Sequence, residues 1–558
     1  MPLVRHPAQI PAVEQRDEAG RVGRGMGGVH GGLADGVGLG RGEERRGGQQ
    51  GEERSHGRRC CDGARDGARK LLRSQRCRAG TCWGMPLLTA LLMTLAAAPA
   101  AQPERRPDIV VFLADDLGRL DSAPYGGDIR TPSLSELAAG GLTFERAYVA
   151  SPSCAPSRAA LLTGLMPARN GASSNHAKPR AEIRKWPAYF QALGYEVAAF
   201  GKVSHYRHTA DYGFDVHAHD GFHDPEGVPA AVRFLRARSK EARPLCLMVG
   251  SNWPHVPWPA EDGTHRPESV RLPAGSLDTP QTRVWRARYA DAVSRCDAEL
   301  GMVMRAVRET LRADTVFVFT SDHGAQWPFG KWNLYEAGVA TPLIVRWPGV
   351  TAAGTRTSAM VGWTDLLPTL IEAAGGRAPE GIDGRSFLPV LRGEPRHRSL
   401  VFTTHSNDNR MNVYPARAVR DGRWKYVRNL HPEWAFTTHI DLQESRGDGL
   451  GQRAFFAEWE RLARNDATAA AVVARYHRRP AEELYDLEND PAEQRNLAGE
   501  PASAEKLAEL RRALDGWMRE QGDDGAVPVA PRLLSDPDSF GPGGAAAETQ
   551  AAQKRKKK

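Results

Sequence analysis

One cysteine stands where its neighbours favour the binding of an anion. Cys154 is followed by Pro156, Ser157 and Arg158, and proline and serine are residues that commonly begin a helix. A side chain in the first turn of a helix faces backbone amides that have no partner within the helix and the positive end of the helix dipole. These groups stabilise sulfate or phosphate, so the segment predicts an anion site beside Cys154.

Two polar clusters follow buried apolar segments elsewhere in the chain. They are Asp115-Asp116 after 108–114 and Asp322-His323 after 317–321. In an open parallel sheet the carboxyl ends of the strands meet at one edge, where such proteins bind their ligands. An acidic pair alone is often only a helix cap or a solvated turn, but two clusters after two strands, together with the cysteine segment, predict a metal site.

The segments that must position these residues alternate between buried strands and amphipathic helices. Continuous apolar runs, typical of strands buried on both faces, occur at 108–114, 195–200, 244–250, 315–320 and 343–347. The clearest helix covers Trp285–Leu311, where apolar residues recur every three to four positions and charges fill the other faces. This alternation predicts an α/β sandwich with a largely parallel central sheet.

The sequence changes in character after about residue 392. Shorter apolar segments follow at 400–404, 414–419 and 424–427. The turn Arg420-Asp-Gly-Arg423 lies between the last two and indicates a hairpin. A further helix is predicted over 502–517. We therefore expect a catalytic domain over 105–392 and a smaller C-terminal α+β domain with an antiparallel sheet over 393–522.

Composition and charge exclude several classes of protein. With 41% hydrophobic and 25% charged residues in 558, the chain is not collagen-like, mucin-like or wholly disordered. Its formal net charge of +8 belongs to the two ends, because residues 1–84 and the last five residues carry more than the whole positive excess. The body is slightly negative, which argues against DNA or RNA as a partner.

The two ends of the chain differ from its body. Residues 1–84 are rich in Gly and Arg without apolar periodicity and predict a disordered leader upstream of a translation start at Met85. Residues 85–101 have the pattern of a secretory signal peptide, and their apolar run of about 15 residues is short of the roughly 20 that span a bilayer. Residues 523–558 predict a disordered basic tail.

Export follows from the signal-like segment. The chain has no Asn-x-Ser/Thr sequon, which favours a bacterial protein over a lysosomal one. We therefore expect a periplasmic or extracellular bacterial protein without a stable membrane span.

Several motifs together resemble those of the type I sulfatase family. Cys154-x-Pro-Ser-Arg158 with Leu161-Leu-Thr-Gly164 resembles the family signature, in which the cysteine is oxidised to Cα-formylglycine. Further family motifs occur in the same order and spacing: Asp115-Asp116, Gly201-Lys202 with His205, Pro254-His255, Ser321–Gly324 and Glu483–Leu497. The resemblance covers about residues 105–520. It implies an alkaline-phosphatase-like sandwich, a bound Ca²⁺ and a formylglycine-generating enzyme as maturation partner.

The resemblance also implies two sets of site residues. The metal ligands are Asp115, Asp116, Cys154, Asp322 and His323. The catalytic residues are Cys154, Arg158, Lys202, His205, His255 and Lys331. Carboxylates are the hard oxygen ligands that Ca²⁺ prefers, whereas imidazole is a less usual ligand of this ion.

Each catalytic residue suits a step in cleaving a sulfate ester or sulfamate. The hydrated formylglycine would supply a geminal hydroxyl as nucleophile, and Arg158, one helical turn away, would hold it. Lys202 and Lys331 would clamp the sulfate oxygens, which gain charge in the transition state. His205 would act as base on the diol and His255 as acid to the departing amine or alcohol.

Two segments resemble one branch of the family, the heparan N-sulfatases. They are Phe329–Val345 and Tyr414–Leu430. That branch has Asn at the position of His323 and Arg at that of Lys331, whereas the Asp-His-Gly sequence and the spacing of Lys202 and His205 are closer to iduronate-2-sulfatase. N-sulfoglucosamine of heparan or heparin fragments is the favoured substrate. The alternative is an O-sulfated saccharide cleaved by an O-sulfatase of iduronate-2-sulfatase or arylsulfatase type.

A polar segment, Thr404–Arg410, precedes the second of these motifs and is predicted to contact the sugar. Asp408 could meet an amine or hydroxyl and Arg410 a carboxylate, or both could belong to a solvated loop. Two other classes stay open. A phosphoryl hydrolase of the alkaline-phosphatase superfamily would use an unmodified nucleophile and a richer zinc set, and a non-catalytic glycan-binding relative would be expected to have lost a site residue.

Overall fold

Two β-sheets organise the described part of the chain. The computed structural model describes residues 106–527 and 529, apart from 220, 240–241, 261–263, 409–411, 444–448 and 450. The predicted leader, the predicted signal peptide, nearly all of the predicted tail and Arg410 lie outside these residues. The described residues all belong to one compact unit.

The large sheet contains eight described strands. They are β1 (Ile109–Ala114), β2 (Leu142–Tyr148), β3 (Glu196–Gly201), β4 (Val216–Ala218), β5 (Leu245–Gly250), β6 (Val316–Ser321), β7 (Leu343–Arg346) and β8 (Thr355–Gly362). Their order is β4-β3-β5-β1-β6-β7-β2-β8. Neighbouring strands are parallel except around β7, which is antiparallel to both β6 and β2. The predicted largely parallel central sheet is confirmed.

The strand β1 shows why the apolar runs form the centre of this sheet. Alternate side chains of a strand point to opposite faces. Ile109, Val111 and Leu113 therefore enter one hydrophobic cluster, whereas Val110 and Phe112 enter the other. All six residues of β1 are buried, because both faces of the sheet are covered. The five predicted apolar runs correspond to β1, β3, β5, β6 and β7.

Three strands of the large sheet lack a continuous apolar run. The strand β2 reads LTFERAY and turns an exposed and a half-buried residue outward, β8 is mostly exposed over its first half, and β4 has only three residues. Their pairing with neighbours, rather than their own composition, makes them strands.

The helices cover the large sheet and extend into the second part of the chain. They are α1 (Pro132–Ala139), α2 (Cys154–Thr163), α3 (Pro167–Asn170), α4 (Trp186–Ala192), α5 (Gly227–Ala237), α6 (Pro280–Thr310), α7 (Glu336–Val339), α8 (Leu366–Ala373), α9 (Leu388–Leu391), α10 (His439–Leu442), α11 (Arg453–Leu462), α12 (Ala467–His477) and α13 (Ala504–Gln521). The helix predicted from Trp285 begins earlier because Thr279 caps it: its hydroxyl accepts a hydrogen bond from the Thr282 amide at 3.3 Å. In the described residues no helix is both long and apolar enough to cross a membrane.

The small sheet is antiparallel throughout and follows the large one in sequence. Its strands are β9 (Val401–Asp408), β10 (Asn412–Arg420), β11 (Trp424–Asn429) and β12 (Glu482–Asp486), in the order β12-β11-β10-β9. The helix α13 packs on it, with the rings of Phe402 and Trp517 stacked at 4.7 Å. The predicted C-terminal antiparallel sheet is confirmed, and the boundary at 392/393 stays a prediction.

Candidate active site

The two polar clusters meet at one edge of the large sheet. The strands β1 and β6 are adjacent and parallel, and Ala114 is in register with Ser321. Asp115 and Asp322 therefore leave the sheet side by side. The amide of Asp116 donates a hydrogen bond to Asp322 Oδ1 at 3.0 Å, which ties the two loops together.

Asp116 adopts a backbone conformation that few residues other than glycine adopt. Its φ angle is +69°, in the left-handed region. A residue held this way must be stabilised by its surroundings, and such residues cluster at functional sites. Here the strained turn brings the Asp116 carboxylate to Lys331, whose Nζ lies 3.0 and 2.8 Å from the two carboxylate oxygens.

The helix α2 carries Cys154 to the same edge. Cys154 is its first residue, and the whole helix is buried. The Cys154 Sγ lies 3.3 Å from His323 Nε2 and 3.9 Å from Lys202 Nζ. The nucleophile position predicted from the sequence therefore lies between an imidazole and an ammonium group.

Arg158 connects the helix to both acidic loops. Its Nη2 donates to Asp115 Oδ1 at 3.0 Å and its Nε to Asp322 Oδ2 at 2.9 Å, with side-chain exposures of 1% or less. Its Nη1 also donates to the carbonyl oxygen of Lys202. One guanidinium thus fixes three loops, which is the planar, multidentate role that lysine cannot reproduce.

Lys202 reaches the site through a close contact between two glycines. Gly201 has a φ of +67°, and a Cβ there would lie 2.1 Å from the carbonyl oxygen of Gly250; a Cβ on Gly250 would lie 2.0 Å from that of Lys202. Only glycine fits at either strand end. The Lys202 Nζ is thereby placed 2.5 Å from Asp115 Oδ2.

Four buried side chains could hold a divalent cation. The ligand atoms of Asp116, Cys154, Asp322 and His323 all lie within 4.8 Å of one another. The His323 Nδ1 lies 3.0 Å from the carbonyl oxygen of Gly324, which can only accept, so Nδ1 carries the proton and the Nε2 lone pair faces the cluster. Two buried carboxylates beside an imidazole whose Nε2 faces them fit a cation.

Asp115, a predicted fifth ligand, has different partners. Its two oxygens contact Arg158 and Lys202. Burial opposes ionisation of this carboxyl, but the nearby charges, led by Lys202, outweigh it and hold its pKa well below the usual range. Asp115 therefore carries a negative charge that balances the two cations.

Burial and neighbouring charges together set the ionisation of the other groups at this edge. It raises the pKa of the Cys154 thiol, so an unmodified cysteine here is protonated and a weak nucleophile. Burial opposes the charge of Lys331, but Asp116 outweighs it and raises the lysine pKa. Lys202 is held charged in the same way by Asp115. Both predicted sulfate clamps are cations at neutral pH.

His255 lies in the loop that follows β5. Its Nδ1 is 2.5 Å from the carbonyl oxygen of Val256, so Nδ1 is protonated, and its Nε2 is 4.0 Å from Asp116 Oδ2. The amide of Asp115 donates to the carbonyl oxygen of Trp253 at 3.0 Å, which fastens this loop to β1. Burial lowers the His255 pKa well below its ordinary value, and Lys202 acts in the same direction.

His205 lies three residues after Lys202 and is also buried. Its Nε2 lies 2.7 Å from Nδ1 of His176. Burial lowers the His205 pKa well below its ordinary value, and the charges of His176 and Lys202 add to the effect. The structure therefore pairs the predicted base with a histidine that the sequence reasoning missed.

Strand β9 of the small sheet delivers a further buried carboxylate. Asp408 Oδ2 accepts hydrogen bonds from Asn175 Nδ2 at 2.9 Å and from Trp332 Nε1 at 2.8 Å. Asn175 Oδ1 in turn accepts from the Ala155 amide at 3.0 Å, next to Cys154. Asn175 and Trp332 were not predicted as site residues, because neither carries a group that sulfate cleavage requires. Two signals were available: Trp332 follows Lys331 within Phe329–Val345, and Asp408 lies in the polar segment Thr404–Arg410.

This arrangement is typical of a hydrolase that acts on an anionic group, because carboxylates, lysines and the N-terminus of a helix meet at one edge of a largely parallel sheet. The chain belongs to the sulfatase family, whose profile matches residues 107–376. A second profile, described as N-sulphoglucosamine sulphohydrolase, C-terminal, matches residues 323–447. The resemblance to sulfatases is confirmed, and the protein is a sulfatase.

Individual relatives agree with this assignment. The chain is 32% identical over 428 residues to an ulvan-active sulfatase of Formosa agariphila, covering 75% of this chain and 81% of the relative. It is 29% identical to human N-sulphoglucosamine sulphohydrolase, covering 79% and 94%. A solved structure of a protein bound to its substrate D-glucosamine-2-N,6-O-disulfate has the same fold, with a TM-score of 0.57 and 20% identity over 75% of this chain and 99% of that one.

Proposed function

We propose that this sulfatase removes sulfate from sulfated saccharides with a formylglycine at position 154 and a bound Ca²⁺. The observation that carries the proposal is the meeting of Asp116, Cys154, Asp322 and His323 within 4.8 Å, flanked by two lysines. Burial raises the pKa of the Cys154 thiol and leaves it a weak nucleophile, so an unmodified cysteine would serve this reaction poorly. A formylglycine-generating enzyme would be the maturation partner.

The cation of this proposal would have defined ligands in the chain. Asp116, Asp322 and His323 would hold the cation together with residue 154, whereas Asp115, the fifth ligand expected from the resemblance, contacts Arg158 and Lys202 in the structure. The cation would draw electron density from the sulfuryl oxygens, and the hydrated aldehyde would supply the attacking hydroxyl.

The remaining residues bind the sulfate and move protons. Lys202 and Lys331 present charged Nζ groups to an anion beside Cys154, where charge develops in the transition state. Arg158 holds the first turn of the helix against both acidic loops. His205 accepts the proton of the nucleophile, and His255 donates one to the leaving group. A bound sulfate adds negative charge near His255, which raises its pKa toward the acid form.

N-sulfoglucosamine is the favoured substrate. The C-terminal profile, which ends at residue 447, includes the strand that carries Asp408 into the site, and human N-sulphoglucosamine sulphohydrolase is among the relatives. The Asp408 carboxylate accepts hydrogen bonds from Asn175 and Trp332 within the protein, so the preference rests on this relationship and not on a direct contact with the sugar. An O-sulfated saccharide is the alternative, favoured by the ulvan-active relative.

A substrate panel separates these candidates. We would compare kcat/KM on N-sulfoglucosamine, glucosamine 6-sulfate, a 2-sulfated uronate disaccharide, an aryl sulfate and an aryl phosphate. We expect N-sulfoglucosamine to be preferred by more than about tenfold, equivalent to roughly 1.4 kcal/mol in the transition state. A preference of that size for an O-sulfated sugar would replace the N-sulfatase assignment, and a preference for the phosphate would indicate a phosphoryl hydrolase.

Mass spectrometry of the peptide that contains Cys154 tests the modification. The expected mass corresponds to replacement of CH₂SH by CHO, or to its hydrate. Fully active enzyme with an unmodified thiol would refute the proposed nucleophile.

We further propose export to the periplasm or the medium of a bacterium, on the strength of the signal-like segment at 85–101. The test is N-terminal sequencing of the protein recovered outside the cytosol of its native host. A mature N-terminus within residues 1–84 would contradict the proposed start.

A further inference from the structure

We propose that Asp408 and His176 fix the proton arrangement of His205, so that its Nδ1 is the nitrogen that accepts a proton during turnover. The proposal deepens the proposed function, since it assumes that His205 acts as the base. It makes His176 and Asp408 positioning residues, neither of which the sequence motifs assign to proton transfer.

Asp408 presents its two oxygens to different neighbours. Oδ2 accepts hydrogen bonds from Asn175 and Trp332, whereas Oδ1 makes no hydrogen bond and lies 3.5 Å from His176 Nε2, an ion-pair distance. Burial opposes ionisation of Asp408, but the neighbouring histidines outweigh it and hold its pKa well below the usual range. An ionised carboxylate attracts a nitrogen that carries a proton, so we place the His176 proton on Nε2.

The tautomer of His205 follows from that of His176. With its ring proton on Nε2, His176 presents a lone pair on Nδ1, and this atom lies 2.7 Å from His205 Nε2. A contact of that length between two nitrogens requires one proton, which His205 must supply from Nε2. His205 Nδ1 is then unprotonated. This atom is buried and has no hydrogen-bond partner, so it is free to take a proton.

The positive charge that His205 gains can pass to His176 through the contact between their rings. When the nucleophilic hydroxyl transfers its proton to His205 Nδ1, the ring becomes a cation with protons on both nitrogens. Its Nε2 proton can pass to His176 Nδ1, which restores neutral His205 and leaves the charge on His176. The cationic His176 then faces the Asp408 carboxylate, the arrangement by which a buried acid stabilises an imidazolium.

The backbone of His176 indicates that its position is enforced. Its φ is +67°, in the left-handed region, and its side chain is 46% exposed, whereas that of Asp408 is 4% exposed. The strained residue brings its ring edge-on to His205, with centroids 4.4 Å apart. The ionisable groups that face this pair of histidines are Lys202, Tyr206, His208, Asp408 and His439.

The left-handed backbone of His176 makes one variant especially informative. Glycine adopts this conformation without strain, so His176→Gly should remove the ring and leave the loop in place. We expect kcat to fall about 10- to 100-fold, the usual effect of losing a partner that orients a histidine, with KM little changed. Because the side chain is half exposed, added imidazole should enter the gap and restore much of the rate.

Two further variants test the proton arrangement, Asp408→Asn and a matched control. In the Asp408→Asn variant, the side-chain amide can donate a hydrogen bond to His176 and no longer stabilises a cation there. We therefore expect kcat to fall and the acidic limb of the pH profile of kcat to shift. His431→Asn is the control, because its side chain is 40% exposed, pairs with Glu433 at 2.8 Å and lies outside the series of contacts. It should leave kcat and the pH profile unchanged. An unaltered pH profile in both His176→Gly and Asp408→Asn would overturn the proposal.

A measurement on the resting protein separates this inference from the proposed function. In ¹⁵N-histidine-labelled enzyme, the His205 signals should show a protonated Nε2 and an unprotonated Nδ1, and the Asp408→Asn variant should lose this preference. A proton on Nδ1 in the unaltered enzyme would refute the inference whatever the activity. If the tautomer is as expected but no sulfated substrate is hydrolysed, the proposed function fails and the proton arrangement stands.

Discussion

Removing the Arg158 side-chain charge is the sharpest test of how the site is held together. Arg158→Met keeps a long side chain but removes a guanidinium that contacts two carboxylates, Asp322 at 2.9 Å and Asp115 at 3.0 Å, of which Asp115 keeps Lys202 as a partner. Both carboxylates are buried, so neither can be compensated by water. The variant also loses the hydrogen bond to the carbonyl oxygen of Lys202.

The size of the effect follows from this burial. Breaking a buried ion pair leaves an uncompensated charge and costs about 3–5 kcal/mol, whereas an exposed pair contributes about 0–1 kcal/mol. Arg377 provides the matched control, since its side chain is 87% exposed and pairs with Glu380 at 2.8 Å. We therefore expect Arg158→Met to lower the free energy of unfolding by about 3–5 kcal/mol and Arg377→Met to change it by less than about 1 kcal/mol.

The assay is urea denaturation followed by tryptophan fluorescence, with all variants treated with chelator so that a bound cation does not mask the loss. Arg158→Lys should recover only part of the stability, because an ammonium group cannot reach two carboxylates in one plane. Equal transition midpoints for Arg158→Met and Arg377→Met would refute the view that Arg158 holds the acidic loops together.

Three further predictions concern the nucleophile, the cation and pH. Cys154→Ala should abolish turnover while leaving the fold intact, checked by activity and circular dichroism. Chelation should lower both activity and Tm, since Asp116 and Asp322 lose their shared cation, and added Ca²⁺ should restore both; an unchanged Tm would contradict the metal site. Burial raises the pKa of Glu299 from 4.5 to about 7, so its stabilising protonated form is full below pH 4.5 and is lost as pH rises to 7. Glu299→Gln should therefore become more stable than the unaltered enzyme above pH 7, as measured by Tm.

The sequence predicted the central strands and the site edge because local patterns determine them. Continuous apolar runs can only be strands or helices buried on both faces, and β1 and β6 have the length of strands. The polar clusters after them meet because the two strands are parallel neighbours. The strand order itself was not predictable, since β2 follows β1 in the chain but lies three places from it in the sheet.

The partners of the predicted residues depend on tertiary contacts that no local pattern records. His176 and Asp408 are more than two hundred residues apart and meet only because the end of β9 reaches the loop after α3. The division of roles between Asp115 and Asp116 is likewise geometric, because adjacent residues point in different directions when one has a positive φ. Sequence spacing treats the two as equivalent.

The hydrogen bonds that connect β9 to the helix of Cys154 determine which part of the site a shortened chain would keep. A fragment that ends at residue 392 would still contain Asp115, Cys154, Lys202 and every other residue of the sulfatase motifs at the strand ends. It would lack Asp408, whose carboxylate accepts hydrogen bonds from Asn175 and Trp332. Asn175, which accepts from the Ala155 amide beside Cys154, would therefore lose the partner that holds its side chain. The second sheet is thus an integral part of the enzyme, and the two halves cannot be exchanged between relatives as independent modules without rebuilding this contact.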